Sequence, residues 1–124
     1  MLVADVVGLI QGAVAVIRLC DQIKGTRKEI QELKARTEIL KKLVEDNQER
    51  LPEADGIDGL NAVIKEVREY LEDRRTGWFY RNPFVEKAFF LKIDGFGKRL
   101  DSWTMTLVLS LSVSANQNLP GLAN

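Results

Sequence analysis

The chain has 124 residues, with 18 Lys+Arg, 18 Asp+Glu and no histidine, and it is 45% hydrophobic and 29% charged. That is one domain with enough apolar residue for a core, which argues against disorder, and zero net charge argues against a nucleic-acid binder. The missing histidine removes the commonest general base and zinc ligand. The single Cys20 leaves no disulfide framework or multi-cysteine metal site and fits a reducing, intracellular setting.

Residues 1–23, MLVADVVGLIQGAVAVIRLCDQI, are the most apolar stretch. A secretory signal needs a basic n-region, and here the first charge is Asp5, so a secretory signal is not the expectation. The longest uncharged run there is Val6 to Ile17, twelve residues, short of the about 20 that a resting span needs. As one helix the segment reaches about 33 Å, near the thickness of the hydrocarbon core. Asp5, Arg18 and Asp21 sit near its ends, tolerable at an interface and costly at the bilayer centre. The expectation is a helix of the protein core that can be moved into a membrane. Gly8 and Gly12 form one GxxxG pair, which serves close helix contact either in lipid or between neighbours of a soluble bundle.

Gly25 is placed to end the first helix, and Thr26 to cap the second, with Glu29 at capping-box spacing. Ile30, Leu33, Thr37, Leu40, Val44, Asn47 and Leu51 then follow in alternating steps of 3 and 4, a heptad seam interrupted by Thr37 and Asn47. Ile39 and Leu43 are expected to widen it into the broad stripe of an intramolecular bundle. Pro52 closes the helix and PEADGIDG reads as a loop. Asp58 is the expected N-cap of a third helix, with an apolar face of Leu60, Val63, Ile64, Val67, Tyr70 and Leu71 and an end near Arg74–Gly77.

The aromatic triplet Trp78-Phe79-Tyr80 marks a helix junction, and Asn82-Pro83 restarts a helix. That last helix is expected from Pro83 to about Ala115. Gly95 and Gly97, each costing about 1 kcal/mol against Ala, predict a kink or a break. Phe96, Leu100, Trp103, Leu107 and Ser114 keep helical spacing. Residues 109–114 alternate as a strand would, but a lone strand has nothing to pair with. The fold expected is all-α, an antiparallel four-helix bundle with an apolar N-terminal helix and a kinked last helix. It covers residues 1–116, with 117–124 as a flexible tail or a linker to further sequence.

Charge is uneven. Lys24, Arg27, Lys28, Lys34, Arg36, Lys41 and Lys42 outweigh Glu29, Glu32 and Glu38, so residues 24–42 carry a net +4 and residues 43–58 a net −5. The helix macrodipole prefers the reverse. A basic end can touch anionic lipid, worth about 1 kcal/mol per residue at the surface. It can equally be a solvated face laced with i,i+4 pairs such as Glu38–Lys42.

No catalytic constellation is present. Without histidine there is no Ser/His/Asp or Cys/His set, no GxxxxGK[ST] occurs, and Gly95-Phe96-Gly97 lies inside a helical pattern rather than after a strand. Nothing in the spacing pairs Asp5, Asp21 and Asp94. Cys20, on an apolar helix, reads as a small core residue. No enzyme activity, metal or cofactor is expected.

VIRLCDQIKGTRKEIQELKARTEIL and GWFYRNPFVEKAFFLKIDGFGKRLDSWTMTLVLSLSV, separated by a charged helix, resemble the mixed-lineage kinase domain-like N-terminal four-helix domains. They also resemble the fungal HeLo-like domains and the coiled-coil domains of plant powdery-mildew resistance proteins. The likeness covers nearly the whole chain, best from Asp94 to Leu111, where Lys98, Arg99, Leu100, Asp101 and Trp103 precede a leucine-rich run. It implies a cell-death executioner, cytoplasmic at rest, that homo-oligomerises on activation and permeabilises the plasma membrane. In fungal members an upstream nucleotide-binding receptor often templates a C-terminal amyloid-forming motif, and no such motif is evident before Asn124. On that reading Leu2, Val3, Val6, Val7, Leu9, Ile10, Val14, Val16 and Ile17 insert into the lipid membrane. Gly8 and Gly12 serve helix contact, and Lys24, Arg27, Lys28, Lys34 and Arg36 meet lipid headgroups. The alternative is a non-lytic, homodimerising adaptor or scaffold bundle of an immune-type signalling protein.

Overall fold

A computed structural model describes residues 4–23, 28–51, 56–74 and 83–118. They form four helices and, among the described residues, no strand: α1 (Ala4–Gln22), α2 (Lys28–Asp46), α3 (Ile57–Arg74) and α4 (Pro83–Asn118). The expected caps Gly25 and Thr26, Pro52, the aromatic triplet 78–80 and Asn82 lie outside the described residues.

The heptad seam becomes the inner face of α2, where Ile30, Leu33, Thr37, Leu40 and Val44 are buried. The Thr37 hydroxyl is satisfied within the helix, donating to the Leu33 carbonyl at 2.7 Å. The α-helix stops at Asp46, yet Leu51 is fully buried. Asn47 makes the connection: its carbonyl accepts from the Arg50 and Leu51 amides at 3.0 and 3.2 Å, while its side chain donates to the Leu43 carbonyl at 2.8 Å. Leu43 packs on the core rim. Ile39 does not widen the stripe: it is 64% exposed, because a residue two places from Thr37 is turned about 200° away from the seam.

The start of α3 differs from expectation. Gly56 has φ 100°, a conformation that favours glycine, and its carbonyl accepts from the Leu60 amide at 2.9 Å. Gly56 is therefore the N-cap, and Asp58 lies in the first turn, where its charge still suits the helix dipole. The inner face is the expected one: Leu60, Val63, Ile64, Val67 and Leu71 are at most 2% exposed. Tyr70 packs at the rim, 5.8 Å from Phe89 and 5.4 Å from Phe96 between ring centroids.

Pro83 opens α4, which runs 36 residues without a break through Gly95 and Gly97. It extends past residue 116 to Asn118. The alternating stretch 109–114 is helical, with Leu111 buried and Leu109 and Val113 exposed. The face of α4 toward the bundle is Phe89, Ile93, Phe96, Leu100, Leu107 and Leu111. Trp103 is not in it: 38% exposed, it flanks the core with its ring over Gly59, where an added Cβ would lie 2.6 Å from ring atoms.

Each of α1 and α4 packs chiefly against both α2 and α3, so α1 and α4 lie on a diagonal. One core joins all four helices. Along α1 and α3, Gly8 and Gly12 face Asn61 and Ile64 in the same order. Along α2 and α4, Arg36 meets Asp101 and Arg50 donates to the Leu111 carbonyl, again in the same order. Along α3 and α4 the order reverses: Gly59 faces Trp103 and Glu66 faces Arg99.

Candidate functional site

α1 is apolar on more than one side. Val6, Leu9, Ala13 and Val16 are at most 1% exposed, and Leu19, Cys20 and Ile23 are also buried. Toward the outside, Val7, Ile10, Val14 and Ile17 are half-buried, and the exposed positions are Gly8, Gln11, Arg18, Asp21 and Gln22. The expected insertion set is therefore split. Val6, Leu9 and Val16 are in the core, while Val7, Ile10, Val14 and Ile17 reach the surface. Leu2 and Val3 lie outside the described residues.

The two glycines also separate. Gly12 is buried, and a Cβ there would lie 2.5 Å from Ile64 Cγ2. Gly8 is exposed, with Asn61 Oδ1 at 3.9 Å from its would-be Cβ. In this structure Gly12 serves the close approach of α1 to α3, and Gly8 does not need to be glycine.

A groove of about 550 Å³ runs between α1 and α2, lined by Val14, Ile17, Arg18, Glu38, Lys41, Lys42 and Glu45. Its apolar side comes from α1, and its rim mixes three cations with two carboxylates.

The three described headgroup residues, Lys28, Lys34 and Arg36, are paired with carboxylates rather than forming an open basic surface. Lys34 Nζ is 2.7 Å from Asp21 and 3.9 Å from Glu38. The Asp21 hydrogen bond, with the charge behind it, pushes the Lys34 pKa up, which keeps the ammonium charged. Arg36 Nε is 3.1 Å from Asp101 and ties α2 to α4. Lys28 pairs with Glu32 at 3.7 Å. Lys24 and Arg27 lie outside the described residues. The Lys28 and Lys34 pairs are exposed enough that each contributes little to stability, Arg36 is the more covered of the three, and together they neutralise the basic start of α2.

Cys20 is buried, and desolvation, helped by the charge of Asp21, pushes its thiol up to about 12. It stays a protonated core thiol at neutral pH. Among the described residues no three His, Cys, Asp or Glu side chains come together to hold a metal ion.

One surface escaped the sequence reading. Leu91, Met105, Leu109 and Val113 of α4 are 55–65% exposed. The signal was a second apolar spacing on α4, half a turn away from the Phe96–Leu100 face.

No described helix is long and apolar enough to cross a membrane. No family model, curated protein or solved structure matches this chain.

Proposed function

We propose that the chain is a membrane-permeabilising, cell-death-type bundle whose first helix leaves the core for the bilayer on activation, when copies assemble. The single observation carrying this is the surplus apolarity of α1. A bundle helix needs one apolar stripe, yet α1 also carries Val7, Ile10, Val14 and Ile17 on its half-buried side. In the bundle that side is only part-buried, with Ile10 packed against the core; in lipid it gains the full transfer free energy, about 0.8 kcal/mol per CH₂ buried. Two environments of similar free energy make a population shift possible. The finer fold that goes with this reading is a bundle whose helices alternate in direction along the chain, with a bend in α4 at Gly95 and Gly97. The chain rests in the cytoplasm and acts at the plasma membrane.

Lys28, Lys34 and Arg36 can meet lipid phosphates only by exchanging their carboxylate partners. For the exposed Lys28 and Lys34 pairs the exchange costs little, whereas Arg36 would also give up its tie to α4. The test is dye release from phosphatidylcholine and mixed phosphatidylserine vesicles by the whole chain. Removing residues 1–23 is a poor control, since it empties part of the core. Val14→Gln with Ile17→Gln changes only half-buried positions that line the surface groove. Release by the wild type and loss of release in a variant of unchanged helical circular dichroism support the reading. Equal release by both contradicts it.

A second reading, the non-lytic adaptor that pairs with a copy of itself, is favoured by the exposed apolar side chains of α4.

A further inference from the structure

The groove between α1 and α2 has an apolar floor and an unevenly paired rim. Val14 and Ile17 of α1 form the floor, one turn apart on the same face. Glu38 and Glu45 of α2 stand on the rim with Arg18, Lys41 and Lys42. Both carboxylates already have a cation. Lys41 Nζ is 3.1 Å from Glu45. Glu38 is 3.9 Å from Lys34 and not beside Lys42, the other partner that helical spacing offers it. Arg18 and Lys42 are exposed, and among the described residues neither has a carboxylate partner. The positive surplus of the groove therefore rests on two unpaired cations, one from each helix.

We propose that this groove binds a single-chain carboxylate amphiphile, with its alkyl chain on Val14 and Ile17 and its headgroup held by Arg18 and Lys42. Charge selects the headgroup. An anion completes the two unpaired cations, whereas a cationic ligand has to break the Lys41–Glu45 or Lys34–Glu38 pair. The floor selects the tail, because a bare anion leaves Val14 and Ile17 uncovered and a neutral chain leaves both cations without a partner. Size selects a small molecule. The volume of about 550 Å³ falls within the range of ligand pockets. The α2 wall from Glu38 to Glu45 is two turns long, about 10 Å, too short for a protein segment that must bury about 800 Å² per partner.

The two walls belong to different helices, so an occupied groove ties α1 to α2. The ligand binds only while α1 is seated, and it stabilises the folded bundle by mass action. Binding in this groove does not depend on the membrane reading.

The experiment is isothermal titration of the whole chain with octanoate, octanol and inorganic phosphate, beside thermal denaturation followed by circular dichroism. Expected are saturable binding of octanoate, a melting temperature that rises with its concentration, and roughly tenfold or weaker binding of octanol and of phosphate. Arg18→Gln and Lys42→Gln, both at exposed positions, should each weaken octanoate binding about tenfold with unchanged circular dichroism. Lys65→Gln, which removes an exposed cation of α3 outside the groove, should bind as the wild type does. Absence of saturable octanoate binding, or equal binding of octanol or phosphate, would overturn the proposal. So would wild-type affinity in Arg18→Gln or Lys42→Gln, or an equal loss in Lys65→Gln.

Discussion

Gly12 of α1 and Ile64 of α3 approach so closely that a Cβ on Gly12 would sit 2.5 Å from Ile64 Cγ2. The contact bears on how deeply α1 is seated, because both residues are buried. Gly12→Ala should therefore destabilise the fold by about 1–3 kcal/mol through overpacking. Gly8→Ala, one turn earlier and open to solvent, should stabilise it by up to about 1 kcal/mol through helix propensity. Thermal denaturation followed by circular dichroism separates the two: the melting temperatures should move in opposite directions. A fall of similar size in both variants would mean that the contact at Gly12 is not specific.

Gly95 and Gly97 also differ in their surroundings. Nothing lies within 4 Å of a Cβ built on Gly95, whereas one on Gly97 collides with the Arg36 guanidinium. Gly95→Ala should gain the whole helix-propensity increment of about 1 kcal/mol. Gly97→Ala should gain less, because Arg36 must leave its place beside Asp101. In an Asp101→Asn background that pairing is already weakened, and the gain from Gly97→Ala should rise. The non-additivity is measured by a double-mutant cycle in urea. Equal gains at both glycines in either background would show that Arg36 does not hold α2 to α4.

Glu66 of α3 and Arg99 of α4 lie 2.9 Å apart. The hydrogen bond from Arg99, more than its charge, holds the Glu66 carboxyl below the usual glutamate range. A depressed folded-state pKa gives stability that is present above the unfolded value, about 4.3, and is lost as pH falls through the folded value. Glu66→Gln should thus melt slightly below wild type at pH 7, by an amount reduced in high salt. The difference should shrink as pH falls through the depressed folded-state value. For Lys34 the sign is opposite: its pKa is raised, so its contribution persists through neutral pH and is lost only as pH rises through the elevated value.

Much of the fold was legible because periodicity is local. The run Ile30–Leu33–Thr37–Leu40–Val44 and the α3 face from Leu60 to Leu71 needed only spacing to identify. What failed depended on the other helices. Trp103 has core spacing, but Gly59 opposite it gives the ring a place on the flank. Asp58 and Gly56 both suit a helix start, and the positive φ at Gly56 decided between them. The basic residues of α2 looked available because their partners, Asp21 and Asp101, belong to other helices. The outward stripe of α4 was hidden by its neighbours, since Met105, Leu109 and Val113 are interleaved with inward Leu107 and Leu111.

Separation of α1 from α3 is the event on which the proposed function turns, and a distance between the two helices tests it most directly. Gln11 and Lys65 are both exposed and lie at the level of the Gly12–Ile64 contact. Spin labels on Gln11→Cys and Lys65→Cys report that distance, with Cys20 held unreactive by burial. The account predicts a short, narrow distance distribution in solution and a longer, broader one under the vesicle conditions that give dye release. An unchanged short distance while the vesicles leak would contradict it.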